Sequence, residues 1–319
     1  MKFTKMQGLG NDYLYVFGEV PENIKELSIK LSNRYFGPGA DGMIYICHSD
    51  VADYMMRIFN ADGSEAMMCG NGIRCVGKYV HDKGYTDKEV LKIETQSGIK
   101  TLYLKFGEDG EDAASEVAAS ADDVEGRKAG GRKTVTGVTV DMGKGEVGEA
   151  GTVTVDLGKS TPEIFEDAAA DSGTVSEGTG NARGGASASL RYIPVSTGNP
   201  HAVIFAKDMD EVDLAHIGPQ VEHHPNFPGG VNTEFVQVLS ATELRMRVWE
   251  RGSGITMACG TGTCASVMAA VSKGYCPYDT PVTVHLDGGD LVIEIKKDNT
   301  IYMTGPAEFV YEGDTEIVK

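Results

Sequence analysis

Cys69-Gly70-Asn71-Gly72-Ile73-Arg74-Cys75 and Cys259-Gly260-Thr261-Gly262-Thr263-Cys264 are two copies of one phrase in a chain of 319 residues. Each opens on a cysteine, passes two glycines at alternate positions and runs into an apolar stretch of helical character. A small polar signature precedes each copy, Asn60-Ala61-Asp62-Gly63-Ser64 before the first and Glu250-Arg251-Gly252-Ser253-Gly254 before the second. Asn60 to Cys69 and Glu250 to Cys259 are the same nine-residue step. A repeat with matched spacing predicts two related halves, each placing one thiol at the start of a helix.

That placement carries chemistry. A helix N-terminus presents free N–H groups and roughly half a positive charge, which lowers a thiol pKa and can hold a carboxylate. Glycines at the next alternate positions let the backbone approach a ligand closely. The thiolate is the reactive form, and an ordinary cysteine with a pKa near ~8.5 is only slightly ionised at neutral pH. Two thiols addressing one substrate carbon can remove a proton from one side and return it on the other. The pattern therefore points to 1,1-proton transfer at a C–H next to a carboxylate, with Cys69 and Cys259 as base and acid. One must be thiolate while the other is thiol, and the two titrate as a coupled pair.

Outward from the repeat, the chain reads as many short strands with one central helix per half. Lys5-Met6 leads through Gly8-Leu9-Gly10-Asn11-Asp12, a tight-turn signal, into the strand Tyr13–Phe17. Residues 22–35 read as a helix with Ile24, Leu27, Leu31 and Tyr35 on one stripe. Residues 43–47 and 54–59 read as strands, 70–82 as a helix, and 90–95 with 99–106 as a hairpin. In the second half, 202–205, 235–239 and 244–249 read as strands. A helical stretch lies around 211–217, a small-residue helix over 264–272, and strands at 282–286, 290–295 and 301–304. The tail at 307–311 can pair back onto the first half. This pattern predicts an α+β fold of two pseudo-symmetric lobes. The expected division is 1–142 plus 306–319, carrying Cys69, and 143–305, carrying Cys259. Residues 107–133 and 166–189 are rich in Gly, Ala, Ser, Asp and Glu and read as flexible insertions in the crossover between halves.

Bulk properties narrow the class. The net charge of −18 disfavours nucleic acid and anionic membranes as partners. No apolar stretch approaches the ~18 residues of a membrane helix and no signal peptide is evident, so a cytoplasmic protein is expected. The six cysteines include no Cys-x-x-Cys pair, and the seven histidines have no zinc spacing, so neither a disulfide framework nor a metal site is expected. Cys47, Cys75, Cys264 and Cys276 read as small buried hydrophobes. No dinucleotide, nucleotide or metalloprotease motif occurs. Motif alone does not exclude pyridoxal phosphate, but Lys78 has no phosphate-binding loop beside it and reads as a solvated helix face.

With these residues in place, the chain resembles the diaminopimelate epimerase family over 1–106 and 190–311. The resemblance rests on residues 5–12, 59–65, Cys69-Gly70-Asn71-Gly72, Gly198-Asn199-Pro200-His201, Glu250–Gly254 and Ala258–Gly262. It implies a cofactor-independent interconversion of LL- and meso-2,6-diaminopimelate, in lysine and peptidoglycan precursor synthesis. It also implies lobes built as mixed, largely antiparallel barrel-like sheets around a central helix, and a homodimer. By the resemblance, Cys69 and Cys259 are the acid/base thiols. Asn11, Asn60, Asn199 and Asn232 hydrogen-bond the substrate. Gly70-Asn71 and Gly260-Thr261 hold the reacting carboxylate through backbone N–H groups, and Arg251 pairs with a substrate carboxylate. Glu250 and His201 tune the thiols or bind the ammonium. Gly42 stands where some members carry a glutamine that reaches the substrate, and Thr261 where many carry serine. The rival readings are a cofactor-independent histidine or proline racemase, and a redox or binding protein.

Overall fold

A computed structural model of the chain describes residues 1–107, 133–170 and 187–316. Leu9 and Gly10 both take positive φ, 58° and 83°, so the Gly8–Asn11 segment closes a tight antiparallel hairpin between the strands Lys2–Gly8 and Asn11–Phe17. The chain divides into two compact units, Met1–Asp141 with Thr304–Lys319, and Met142–Met303. It leaves the first unit within the strand Val135–Lys144 and re-enters it within Thr300–Gly305.

In the first unit, Asn11–Phe17 pairs parallel with Gly42–Cys47, and helix α1, Ile24–Ser32, makes the crossover. Gly42–Cys47 pairs antiparallel with Tyr54–Asn60, which in turn pairs parallel with Val90–Thr95. The second crossover is helix α2, Gly70–Asp82. The hairpin to Gly98–Phe106 and the pairing onto Val135–Lys144 finish that edge. At the opposite edge Glu308–Asp314 pairs antiparallel with Lys2–Gly8.

The second unit repeats this plan. Ser187–Ser196 pairs antiparallel with Pro200–Phe205, which pairs parallel with Asn232–Ser240 across helix α3, Leu214–Glu222. Asn232–Ser240 pairs antiparallel with Glu243–Glu250, which pairs parallel with Val282–Leu286 across helix α4, Gly260–Ser272. The hairpin to Gly289–Ile295 follows. Antiparallel, parallel, antiparallel, parallel, antiparallel is thus the order in both units, and the fold is α+β. The Cys-headed helix is the second crossover each time. Both Cys-headed helices are buried almost all round: Ile73, Cys75, Val76 and Val80 in α2, and Thr263 to Val271 in α4, lie in the interior.

Several expectations change. Helix α1 stops at Ser32 because Asn33 turns extended and its Oδ1 accepts from the N–H groups of Tyr35 and Phe36. Tyr35, expected on the buried stripe, is 91% exposed. Lys78 is no solvated face. It is 7% exposed, and its Nζ bonds Asp82 Oδ2 at 2.7 Å and the Val135 carbonyl. Helix α4 begins at Gly260 rather than 264, because Cys259 caps it. The 211–217 helix is shifted to Leu214–Glu222. Cys75, Cys264 and Cys276 are buried and Cys47 is half-buried. Most of the expected insertions, 108–132 and 171–186, lies outside the described residues. At the described margins Ala169–Ala170 and 187–189 are paired strand, not loop.

Candidate active site

Cys69 is the N-cap of α2, with extended backbone (φ −139°, ψ 113°) and its Sγ accepting from Gly72 N–H at 3.3 Å. A sulfur here replaces the usual side-chain oxygen of a cap. The Cys69 thiol lies 3.3 Å from Asn11 Oδ1, and Asn11 Nδ2 donates to Asp41 Oδ2 at 2.8 Å. Asp41 is itself held by Asp12 N–H and by Arg34 Nη2. Asn11 is the first residue of its strand, so Tyr13 shares its face, and the Tyr13 hydroxyl hydrogen-bonds Cys69. Asn71 is buried and its Oδ1 has no partner among the described residues.

Asn60 ends the strand Tyr54–Asn60. Its Nδ2 donates to Ser64 Oγ, and Ser28 of α1 pins its carbonyl at 2.8 Å. Gly42 lies opposite it in register. A Cβ at Gly42 would meet the Phe59 carbonyl oxygen at 2.2 Å, and Asn60 Cα and Tyr13 Cε1 at 3.0 Å. No side chain fits there, so a glutamine contact from this position is closed to this backbone.

Burial pushes the Cys69 thiol up. The Gly72 N–H, the Tyr13 hydroxyl and the charge of Arg74 pull it back. Arg74 is the largest fully buried side chain among the described residues, one turn into α2, with Nε bonding the Pro306 carbonyl and Nη1 that of Gly70.

Cys259 caps α4 in the same way, with Sγ 3.4 Å from Gly262 N. Its surroundings differ in charge. Burial pushes the thiol well up, and the carboxylates of Glu250 and Glu234 push it further, against hydrogen bonds from Thr261 and Gly262. Glu250, at the end of its strand, accepts from Thr256 Oγ1 and from the Cys259 thiol. Burial raises the Glu250 carboxyl against the Thr256 bond, and Glu234 adds to the rise. Thr261 Oγ1 lies 3.6 Å from Cys259 Sγ and accepts from Asn199 Nδ2 at 3.4 Å. His201 Nε2 is 3.0 Å from Asn199 Oδ1 and its Nδ1 is 2.7 Å from Glu234 Oε1.

Asn199, His201, Glu250, Thr261 and Cys259 therefore form one connected group with Gly260 at the first turn of α4. Asn232 and Arg251 are joined to each other instead. Asn232 Oδ1 accepts from Arg251 N–H at 3.0 Å and its Nδ2 donates to the Pro200 carbonyl. The aliphatic stem of the exposed Arg251 lies along Gly230, which has φ +72°, and its guanidinium donates to the Gly229 carbonyl. Glu222 of α3 holds this turn by accepting from Trp249 Nε1 at 2.6 Å and Gly252 N–H at 2.9 Å.

Tyr13, Arg74, Glu234 and Thr256 are site neighbours that the motifs did not bring forward. Tyr13 had a signal, two residues beyond Asn11 on a strand. Glu234 had none, because it meets His201 only through the parallel pairing of their strands. Among the described residues no group of three or more His, Cys, Asp or Glu is placed to hold a metal ion. No described helix is long and apolar enough to cross a membrane.

Comparison with known proteins adds an independent line. The family model described as diaminopimelate epimerase matches residues 3–117 and 193–310. A diaminopimelate epimerase of Acetivibrio thermocellus is 44% identical over 320 residues, covering 99% of this chain and 99% of that protein. One of Phocaeicola vulgatus is 46% identical over 321 residues, with 99% of each covered. Among solved structures, a phenazine biosynthesis protein of the PhzF family from Bacillus anthracis superposes with TM-score 0.65 at 16% identity, covering 99% of both chains. A hydroxyproline epimerase from Agrobacterium vitis does so with TM-score 0.60 at 14% identity, covering 98% of this chain and 91% of that one. At those identities the structural likeness is one of fold.

Proposed function

This chain belongs to the diaminopimelate epimerase family, and from that premise we propose that it interconverts LL- and meso-2,6-diaminopimelate with Cys69 and Cys259 as the two acid/base groups. The observation that carries the assignment is the duplicated cap, a thiol on the first turn of a buried crossover helix, bonded to Gly72 N–H in one unit and Gly262 N–H in the other. One sulfur, as thiolate, takes the α-proton. The other, as thiol, gives its proton to the opposite face of the same carbon, and the reverse reaction exchanges their roles. The carbanion's charge spreads into the substrate's α-carboxylate, which the N–H groups of Gly70-Asn71 and Gly260-Thr261 hold. Each helix terminus contributes about 0.5–2 kcal/mol. That is a small part of the roughly 8–23 kcal/mol by which enzymes lower barriers, so water exclusion and positioning supply the rest.

Asn11, Asn60, Asn199 and Asn232 hydrogen-bond the substrate, and Arg251 pairs with a substrate carboxylate. Glu250 and His201 tune Cys259. Arg74 and Tyr13 favour ionisation at Cys69 while the Glu250 carboxylate opposes it at Cys259, so Cys69 is the first to act as base. The reaction serves lysine and peptidoglycan precursor synthesis in the cytoplasm, without cofactor, in a homodimer.

The test is direct. The purified protein is incubated with LL-diaminopimelate in deuterated water without added cofactor, and the α-protons are followed by NMR. Deuterium entering one α-carbon as the meso isomer accumulates is the expected result. Exchange with histidine or proline but not with diaminopimelate would replace the reading by a racemase, and no exchange with any amino acid would leave only a redox or binding role.

A further inference from the structure

Glu234 sits in the strand Asn232–Ser240 with its side chain and that of His201 both 0% exposed. Glu234 Oε1 faces His201 Nδ1, while Oε2 has no partner among the described residues. Across the ring, Nε2 faces Asn199 Oδ1, which also accepts from Thr197 Oγ1. Asn199 Nδ2 then donates to Thr261 Oγ1, the hydroxyl beside Cys259 Sγ. One line of contacts runs Glu234, His201, Asn199, Thr261, Cys259.

The protons along this line can be counted. An amide oxygen only accepts, so Nε2 carries a hydrogen. One more proton lies between Nδ1 and Oε1, since two bare lone pairs would otherwise face each other at 2.7 Å. On either atom it leaves the pair without net charge, whereas a lone carboxylate in this fully buried place would be strongly unfavourable. The Thr261 hydroxyl accepts from Asn199, so its own hydrogen is left for the Cys259 sulfur. Glu250, on the neighbouring strand, is the other carboxylate facing that sulfur and stands outside this line.

We propose that Glu234 is a positioning residue for proton transfer at Cys259: it keeps His201 as an Nε2–H donor, which holds the Asn199 amide with its NH2 group turned to Thr261. This rests on the reading of Cys259 as an acid/base thiol. Without the carboxyl group His201 is free to carry its proton on Nδ1 instead. The Asn199 amide then turns over to donate to the bare Nε2, and its oxygen draws the Thr261 hydrogen away from the sulfur.

Two variants of the whole protein test this. Glu234→Met keeps the volume but cannot donate to Nδ1. Glu234→Gln can, through its NH2 group, and so preserves Nε2–H. Long-range 15N–1H NMR of labelled histidine reports which ring nitrogen is protonated at neutral pH, with His201 assigned by its loss in His201→Asn. The expected result is a protonated Nε2 in wild type and Glu234→Gln, and a mixture of tautomers in Glu234→Met. Alongside, kcat for diaminopimelate should fall at least tenfold in Glu234→Met and stay within about threefold in Glu234→Gln. A bare Nε2 in the wild type, an unchanged kcat in Glu234→Met, or an equal loss in both variants would overturn the role. Should the wild type exchange no α-proton at all, the epimerase reading fails, while the ring spectra still decide whether Glu234 sets the tautomer.

Discussion

The two thiols share a backbone setting and differ in charge. Cys69 has the buried Arg74 and the Tyr13 hydroxyl on its side, and Cys259 has Glu250 and Glu234 against it. Burial raises both, and the carboxylates beside Cys259 add to its rise. A thiol with the higher pKa holds less thiolate at a given pH, and only the thiolate is alkylated. Iodoacetamide labelling followed by mass spectrometry across pH should therefore show the Cys69 midpoint at lower pH than that of Cys259. Glu250→Gln should move the Cys259 midpoint down and leave that of Cys69 in place. Coincident or reversed midpoints would show the charge asymmetry to be ineffective. Lys78 supplies a second expectation. Its ammonium is bonded to Asp82 and the Val135 carbonyl in the interior. Lys78→Ala strands a mostly buried carboxylate and should cost roughly 3–5 kcal/mol of stability in urea unfolding; a loss below 1 kcal/mol would mark the pair as unimportant. The sequence made the caps readable because Cys-Gly-x-Gly is a local signal. Lys78, Tyr35 and Glu234 were not readable in this way. What decides Lys78 and Glu234 is a partner brought in from another strand, and Tyr35 is turned outward where Asn33 ends the helix, none of which helical periodicity records.

The elements were legible in kind and blurred at their ends. The strands and helices followed from their periodicity, whereas their pairing into parallel crossovers did not, and the true helix ends came from side-chain caps such as Asn33 and Cys259. Within the Cys-headed helices the second glycine marks how tightly each thiol is packed. A Cβ at Gly72 would meet Ile44 Cδ1 at 2.6 Å, the free end of a side chain. A Cβ at Gly262 would meet Glu234 Oε1 at 2.6 Å and Cys259 Sγ at 3.2 Å. Alanine gains about 0.5–1 kcal/mol over glycine in a helix interior, and overpacking costs about 1–3 kcal/mol. Gly262→Ala should thus lower both Tm and kcat, while Gly72→Ala, where the neighbour can yield, should keep its Tm within a few degrees. Equal effects from the two substitutions would mean that the Glu234 side of α4 has more room than its geometry allows.

On the scale of the molecule, one unit is made of two pieces of chain and the other of one. Glu308–Asp314 lies along Lys2–Gly8, and the amino group of Met1 reaches Asp314 at 3.0 Å. Removing residues 306–319 would strip that edge strand from its partner. Hydrogen exchange of the truncated protein should then show lost protection over residues 2–17 and retained protection over 232–250. Undiminished protection at the first strand would mean that the tail is dispensable. The order of synthesis gives this arrangement a further consequence. A ribosome emits the first half of the chain early, yet that half lacks its closing edge until residues 308–314 have been made, by which time every residue of the other unit is already complete. The half that is born first is finished last, and in the interval its opening strand is exposed to neighbouring nascent chains.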